Sequence, residues 1–449
     1  MAASVFESSI LGKLFDPGDV GRLFSDGAEV RAMMLVQGAL ARVQGAAGVI
    51  PDLSAAAIHR ASLELQIDPG GLGTATGANG VCVPALVAAF RDLMQAPEHA
   101  QYLHWGATSQ DIIDTALMLR LKRVLDACDA TLDRVLSTLA RLAVDHADLP
   151  MAARTYGQDA TPTSFGAQCA GWGWPLLAVR ADLAELRATG LWVSLSGAAG
   201  TASQLGPDPM ALRADLAQAL GLHDPGRSWH TDRTPVLRLA DAMGRALAAL
   251  GKLGEDLTLA VQSGIAEVAL GQGGASSTMP QKQNPVGPSV LVALAAQGAG
   301  QVGTLHAAGL HRQARDGAAW FTEWLVLPQL CLGLAAALHR AETLTQSLAP
   351  QPAAMAAHLD AARGLTQAEA LTFVLCQQMP RPEAHARVKA LCAEVIAGGG
   401  TLAQVAQTQC PDLPEALLHD ACAPQKTLGT APQEAHAFAA AVQTTRAVG

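Results

Sequence analysis

A polar loop at residues 273–285, with the sequence GGASSTMPQKQNP, carries side chains that could do chemistry. Its Gly, Ser and Pro content predicts a loop, and the segments on either side are long and apolar. The loop holds two hydroxyls, Ser276 and Ser277, followed by one cation, Lys282, and one amide, Asn284. A loop with a fixed cation can close over an anion and bring a serine to it. A plain flexible linker is the competing interpretation.

A second polar stretch, HWGATSQDIIDT, occupies residues 104–115. Thr108, Ser109 and Asp111 stand just ahead of a predicted helix, where hydroxyls and a carboxylate can cap free N–H groups. The same helix N-terminus, with two hydroxyls, could instead hold a carboxylate ligand. The residues alone leave both interpretations open.

The third polar stretch is ARTYGQDATPTSFG at residues 153–166. Thr155, Gln158, Asp159 and Thr161 crowd the approach to a helix that we expect to begin near Pro162. The choice between a helix cap and an anion site is therefore the same as in the second stretch.

Long helices must position these three stretches. Two segments repeat apolar residues at alternating spacings of four and three, which predicts two helices of about 30 residues with bundle-type seams. The first seam is Leu121, Leu125, Cys128, Leu132, Val135, Leu139 and Leu142, and the second is Ala240, Met243, Leu247, Leu250, Gly254, Leu257 and Val261. Gly254 within the second seam indicates a close approach to another helix.

Three more long helices are expected: one from near Pro288, one following Pro162, and one that includes residues 323–344. Five such helices predict an all-α fold with a central bundle. We divide the chain into an N-terminal helical domain (1–103), the central bundle (104–345) and a C-terminal helical domain (346–449). A Leu/Ala-rich bundle of this length has more apolar faces than one copy can bury, so we expect a homo-oligomer.

Composition excludes several classes of protein. The net charge is −9 and no basic block occurs, which argues against a nucleic-acid surface. The eight cysteines form no CxxC pair or Cys/His cluster, so we expect reduced thiols, no metal and no other cofactor. The N-terminus has no signal-peptide pattern, and we expect no segment apolar enough to cross a membrane. These features predict a cytoplasmic protein.

Together, the three stretches resemble the signature regions of the fumarase/aspartase superfamily, in the same order and at similar spacing. The family's last signature is G-S-S-x-M-P-x-K-x-N-P, and residues 275–285 match it except that Ala275 replaces the leading glycine. The resemblance covers most of the chain and includes a C-terminal stretch of the family's GLxxAE type at residues 364–391.

The resemblance implies a homotetramer in which three subunits contribute to each active site. The implied chemistry is elimination or addition beside a carboxylate. By motif position the general base is Ser276, six residues before Lys282. A serine needs a nearby cation or backbone donors to act as a base, and Lys282 is the local candidate.

The resemblance also assigns binding roles in the first and last stretches. Thr108 and Ser109 would hold a substrate carboxylate, and Asn284 would hold another polar group. His104 corresponds to a histidine that stabilises negative charge in the lyase branches of the superfamily.

The second stretch departs from the family. Thr155, Tyr156, Gln158 and Asp159 remain as candidates for contact with substrate, but the histidines that relatives carry at the Tyr156 or Asp159 position are absent. An amine or hydroxide leaving group generally needs a proton donor, whereas a carboxylate leaves as a stable anion. The absence of these histidines therefore favours an enzyme that makes or opens a lactone. Asp159 could serve as an acid if it is buried.

Two further stretches are similar to the lactone-forming branch of the superfamily: the Trp229-His230-Arg233 pattern and RDGAAWFTEWLVLPQ at residues 315–329. Arg315 would supply a cation for a small anionic tricarboxylate, or else form a structural salt bridge. His230 would contact substrate or be a structural histidine. The alternatives are a lyase of the adenylosuccinate or argininosuccinate type, a ring-closing enzyme for a sulfonated substrate, and a helical tetramer without turnover.

Overall fold

The computed structural model describes residues 4–271, 274–275, 278–279 and 281–448. Most of these residues are helical, which confirms the all-α prediction. By internal contacts the chain forms two compact units. The first consists of residues 1–131, 179–248 and 293–339, and the second of 132–178, 249–292 and 340–449. Every boundary between them falls within a long helix. The three regions expected along the chain are a different kind of division and stay a prediction.

Short helices open the chain and belong to the first unit. They are α1 (Asp26–Ala46), α2 (Asp52–Glu64), α3 (Gly73–Asn79), α4 (Val83–Met94) and α5 (Pro97–Ala100), with 3-10 turns at Val5–Glu7, Gly18–Phe24 and Pro69–Leu72. The Ser25 hydroxyl accepts a hydrogen bond from the Ala28 amide at 3.3 Å and so caps the start of α1. Apolar residues of α1, α2, α4 and α6 (Ser109–Asp145) share one core cluster.

Five of the next six helices are the long ones expected from the sequence. The series is α6 (Ser109–Asp145), α7 (Phe165–Thr189), α8 (Pro209–Leu220), α9 (Thr234–Ala260), α10 (Val286–Ala308) and α11 (Gly317–Ser347). The predicted seams on α6 and α9 are buried at every position except Val261, which is partly buried just beyond the end of α9. The 3.5-residue spacing therefore identified the faces that pack.

The C-terminal helices belong to the second unit. They are α12 (Pro352–Ala361), α13 (Ala368–Leu375), α14 (Arg381–Ile396), α15 (Leu402–Gln409), α16 (Glu415–Cys422) and α17 (Ala431–Val448), with 3-10 turns at Leu365–Gln367 and Pro424–Lys426. Leucines and valines of α13, α14 and α15 form a separate small core. A capping box at Thr401 and Gln404 fixes the start of α15.

Short antiparallel strand pairs interrupt the helices. The strands are β1 (Pro150–Thr155), β2 (Gln158–Ser164), β3 (Val268–Leu270), β4 (Gly274–Ala275), β5 (Gln283–Asn284) and β6 (Leu348–Pro350). They pair as β1 with β2, β3 with β6, and β4 with β5.

The β1–β2 hairpin was not predicted from the sequence, which indicated only the approach to a helix in this stretch. Tyr156 and Gly157 form a two-residue connection with φ values of 52° and 74°. Two consecutive positive φ values match the turn that suits the twist of a tight hairpin. Pro162 lies within β2, and α7 begins three residues later at Phe165.

Helix α11 corrects the expectation that no segment could cross a membrane. By length and composition, Gly317–Ser347 is long and apolar enough, with 61% of its most apolar window buried. One such helix is weak support for a membrane span, because the buried core helix of a soluble protein has the same composition.

Gly254 allows α9 to approach α10 closely within the second unit, as the seam predicted. A Cβ atom on this residue would lie 2.7 Å from the Pro288 carbonyl oxygen and 2.9 Å from Leu291 Cβ. Both neighbours are backbone or near-backbone atoms, so they cannot move aside independently of α10.

We therefore expect Gly254→Ala to destabilise the protein by about 1–3 kcal/mol, because the two helices must separate. Thermal unfolding followed by circular dichroism measures the effect. Gly171→Ala is the matched control, since Gly171 is an exposed residue of α7 in the same unit with nothing within 4 Å of its virtual Cβ. Equal unfolding temperatures for Gly254→Ala and the wild type would contradict the close approach.

Candidate active site

A fully buried carboxylate, Asp111, organises the first polar stretch. Asp111 lies in the first turn of α6 and accepts five hydrogen bonds. They come from Ser194 Oγ (3.1 Å), Ser196 N (2.9 Å) and His230 Nε2 (2.9 Å) to Oδ1, and from Thr108 N (3.0 Å) and Gly197 N (2.9 Å) to Oδ2. The carboxylate thus joins the start of α6 to residues 194–197 and to His230.

The hydrogen bond from the Thr108 amide to Asp111 leaves the Thr108 hydroxyl available for other contacts. Thr108 Oγ1 accepts a hydrogen bond from Arg315 Nη2 at 3.4 Å, so its own proton can be donated elsewhere. Ser109 begins α6 and is half-buried. The positive end of the α6 dipole lies at these two residues and favours an anion there.

Arg315 is held by three contacts within the first unit. Its Nε donates to Gln110 Oε1 at 2.7 Å, and its Nη2 donates to Thr108 Oγ1 and, at 3.2 Å, to the Ala198 carbonyl. Nη1 has no hydrogen-bond partner among the described residues. The sequence left a choice between an anion-binding cation and a salt bridge, and no carboxylate pairs with Arg315 in the part of the chain described here.

A buried ion network lies behind Gln110. Arg233 donates to Asp114 at 2.7 and 3.2 Å and to Glu323 at 2.9 and 2.6 Å, and all three side chains are buried. Burial by itself lowers the pKa of Arg233, but the two carboxylates raise it more, so the guanidinium stays charged. Trp320 is also buried, and its Nε1 donates to Asp114 at 3.3 Å. The network ties α6 and α11 to the residue that directly precedes α9.

His230 lies inside this buried scaffold. It is 3% exposed, and its Nε2 donates to Asp111. The position favours the structural alternative for His230 over substrate contact.

His104 adopts a left-handed backbone conformation, with φ of 65°. Such strain in a residue other than glycine often marks a functional position. Gln37 Nε2 donates to His104 Nδ1 at 2.9 Å, so the neutral ring carries its proton on Nε2. Burial lowers the pKa of His104 to about 4, with Arg91 adding to the effect and Asp111 opposing it. His104 is therefore an uncharged hydrogen-bond donor at neutral pH.

The second polar stretch forms the tip of the β1–β2 hairpin in the second unit. Thr155, Tyr156, Gln158 and Asp159 are all exposed in the single chain. Asp159 is exposed in the single chain, and its role as an acid stays a prediction.

An ion cluster that the sequence did not reveal anchors this hairpin near its tip. Arg154 lies 3.2 Å from Asp159 and donates to both oxygens of Glu267 at 2.6 and 2.9 Å. Glu267 is fully buried and also accepts from His358 Nδ1 at 3.0 Å. Since Glu267 directly precedes β3, the cluster connects the hairpin to the segment that leads into the third polar stretch.

The third stretch is described only in part. Ser276, the expected proton carrier, lies outside the described residues. Lys282 is exposed, and its amide donates to the Met279 carbonyl at 3.0 Å. Asn284 lies on β5 opposite Gly274 and is half-buried.

The first unit thus brings together Thr108, Ser109 and Arg315. Gln110 and Glu323, which support this group, were not predicted from the sequence. A signal for Gln110 was present, because Gln110 and Asp114 are four residues apart in one motif and share a helix face. Among the described residues, no group of three or more His, Cys, Asp and Glu side chains is placed to hold a metal ion.

Comparison with known proteins gives consistent matches. A family described as a lyase family matches residues 28–300. The 3-carboxy-cis,cis-muconate cycloisomerase of Pseudomonas putida is 37% identical over 381 residues, covering 84% of this chain and 90% of that protein. The crystal structure of the 3-carboxy-cis,cis-muconate lactonizing enzyme from Pseudomonas putida superposes with a TM-score of 0.88 at 33% identity, covering 95% of this chain and 97% of the other.

A relative with another activity matches over more of the chain. The nitrosuccinate lyase of Streptomyces davaonensis is 34% identical over 447 residues, covering 96% of this chain and 94% of that protein. The extent of these matches confirms the resemblance seen in the three polar stretches. The chain belongs to this lyase family, the fumarase/aspartase superfamily, and lies close to its cycloisomerases.

Proposed function

We propose that this protein is an enzyme that converts 3-carboxy-cis,cis-muconate into 4-carboxymuconolactone. The observation that carries the proposal is the anion site made by Arg315, Thr108 and the N-terminus of α6. It occurs in a chain that is 37% identical to a protein named for this reaction. Arg315 has no carboxylate partner among the described residues, and such an arginine beside a helix N-terminus suits a substrate that carries several carboxylates.

The reaction is an intramolecular anti addition that takes up one proton from solvent and needs no other reactant. One substrate carboxylate forms a C–O bond to a carbon of the diene, and the displaced π electrons move to the carbon beside another carboxylate. That carbon takes a proton from the Ser276 hydroxyl, and the serine recovers a proton from solvent. Lys282 and backbone donors stabilise the transient alkoxide of Ser276.

The other site residues bind rather than transfer protons. Thr108, Ser109 and Arg315 hold one carboxylate, Asn284 holds another, and neutral His104 donates a hydrogen bond from Nε2 to the charge that develops. No organic or metal cofactor takes part in this scheme.

The hairpin residues act from a neighbouring copy in this proposal. Thr155, Tyr156 and Gln158 contact the substrate bound to another subunit, while Asp159 stays paired with Arg154. The exposed tip of the hairpin supports this arrangement, since Tyr156 is fully exposed in a single chain. The assembly is a homotetramer with active sites shared between subunits, built on the three regions 1–103, 104–345 and 346–449. It works in the cytoplasm, in the degradation of protocatechuate.

Elimination of nitrite from nitrosuccinate is the second candidate. It is favoured by the 34% identity to a nitrosuccinate lyase over almost the whole chain. Nitrite, like a carboxylate, leaves as a stable anion, so the missing histidines at the Tyr156 and Asp159 positions fit both reactions. They fit an amine-releasing lyase of the adenylosuccinate or argininosuccinate type less well. A sulfomuconate as substrate and a tetramer without turnover complete the alternatives.

The purified protein should consume 3-carboxy-cis,cis-muconate without added metal, and product analysis should identify 4-carboxymuconolactone. Ultraviolet absorbance follows the loss of the diene. Nitrosuccinate, sulfomuconate, adenylosuccinate and argininosuccinate are assayed in parallel. A kcat/KM for any of these that exceeds the value for the carboxymuconate would replace the proposed substrate, and inactivity with all five would leave the non-catalytic alternative.

Ser276→Ala should lower kcat by roughly 10²–10⁴-fold, because the variant has no hydroxyl to carry the proton. Binding of tricarballylate, a stable tricarboxylate, should be retained and shows that the site is intact. Ser277→Ala is the neighbouring control and should lose far less activity. If Ser277→Ala is the inactive variant, the proton carrier has been misassigned.

Stability should depend on pH through His104. Burial lowers its folded-state pKa to about 4, below the ordinary value of about 6.5. As the pH falls, His104 in the unfolded chain therefore takes up a proton before His104 in the folded protein does. The contribution of neutral His104 to folding stability is complete above about pH 6.5 and is lost as the pH falls towards 4. The loss amounts to at most about 3 kcal/mol.

Denaturant unfolding of the wild type and His104→Asn between pH 7.5 and 4.5 measures this effect. The wild type should lose more stability than the variant over that range. His385→Asn, a change at an exposed histidine of α14, is the control and should follow the wild type. Parallel curves for all three proteins would show that His104 does not titrate as its burial implies.

A further inference from the structure

Gln110 is a buried amide whose hydrogen bonds allow only one orientation. Its Nε2 donates to Asp114 Oδ2 at 3.1 Å and to the His230 carbonyl at 2.9 Å. Both partners are acceptors, so the –NH2 group must face them and the amide oxygen must face the other way. That oxygen lies 2.7 Å from Arg315 Nε.

The partners of Gln110 are themselves fixed. Asp114 forms an ion pair with Arg233, which also binds Glu323, and the three side chains are buried. His230, which supplies the carbonyl, is held through its ring by Asp111. A rotation of the Gln110 amide would place its oxygen against two acceptors in a buried environment, where an unpaired polar group is costly.

This orientation determines which part of Arg315 remains for a ligand. Nε is committed to Gln110, and the two protons of Nη2 are directed at Thr108 Oγ1 and the Ala198 carbonyl. Only the two protons of Nη1 have no partner among the described residues. Arg315 therefore offers one nitrogen to a carboxylate rather than the usual two-nitrogen fork.

We propose that Gln110 is a positioning residue that fixes Arg315 with Nη1 towards the substrate. The inference rests on the proposed role of Arg315 in substrate binding. It adds that the buried Gln110 side chain determines the orientation in which Arg315 meets the substrate. A freely rotating arginine must lose conformational entropy when it binds a carboxylate, whereas a fixed arginine has already lost it on folding. Gln110 thus raises affinity for the anion without touching it.

The test compares tricarballylate binding by isothermal titration calorimetry in four proteins: wild type, Gln110→Met, Arg315→Met and the double variant. Gln110→Met keeps the side-chain length but removes the acceptor for Arg315 Nε. We expect it to weaken binding about tenfold in the wild-type background. In the Arg315→Met background the same change should alter binding by less than about twofold, because the residue through which it acts is gone.

Gln367→Met is the matched control. Gln367 is a buried glutamine in the second unit that accepts a hydrogen bond from its neighbour Thr366. Its variant should bind tricarballylate like the wild type. Equal binding by Gln110→Met and the wild type, or the same loss in both Arg315 backgrounds, would overturn the proposal.

Steady-state kinetics give a second readout, because loss of positioning should raise KM for the active substrate more than it lowers kcat.

A crystal structure of the wild type with tricarballylate tests the same inference and does not depend on the folding of any variant. The carboxylate should contact Arg315 Nη1 while Nε stays on Gln110, and contact through Nε would contradict the inference. Binding of tricarballylate does not require turnover, so failure of the proposed reaction and failure of this inference remain distinguishable.

Discussion

The carboxylate of Asp111 is the constraint on which the first polar stretch depends. Its five hydrogen bonds bring the start of α6, the chain at residues 194–197 and the His230 ring into one buried arrangement. A buried carboxylate is strongly unfavourable unless its lone pairs are satisfied, so these partners cannot move independently of one another. One consequence reaches the site directly: the Thr108 amide is occupied, and the Thr108 hydroxyl is left to face Arg315. The same carboxylate caps the N-terminus of α6.

The sequence predicted the helical framework because long helices carry a strong periodic signal. The seams on α6 and α9 and the close approach at Gly254 needed only the spacing of apolar residues. The β1–β2 hairpin was not predicted because its sequence signal is local. Tyr156 and Gly157 adopt positive φ, and the flanking strands show no regular alternation of polar and apolar residues. The apolar character of α11 was also underestimated, since its charged residues lie near its ends.

The candidate site was predicted in its outline but not in its support. Motif position pointed to Thr108, Ser109 and Arg315, and the first unit places them together. Motif position could not show that Gln110 and the buried Arg233 network determine the orientation of the Arg315 side chain. Those contacts join residues 90 to 205 positions apart in the sequence. Nor could motif position show that the His230 imidazole is buried and hydrogen-bonded to Asp111. Long-range polar contacts leave no periodic trace in a sequence, whereas packing faces do.

At Tyr156 the sequence departs from the superfamily pattern, and the structure places this residue in the turn of the β1–β2 hairpin. This residue stands where fumarase-like relatives carry histidine, and it is the fully exposed first residue of a tight turn. A side chain in that place can act only on something outside its own hairpin. A phenol gives up a proton far less readily than an imidazolium ion, so the change removes an effective acid while keeping a hydrogen-bond donor. A site altered in this way can bind and orient a leaving group, but protonates it poorly. Ring closure by a carboxylate places no demand for an acid on that side of the substrate, so the absence of histidine is compatible with the proposed reaction.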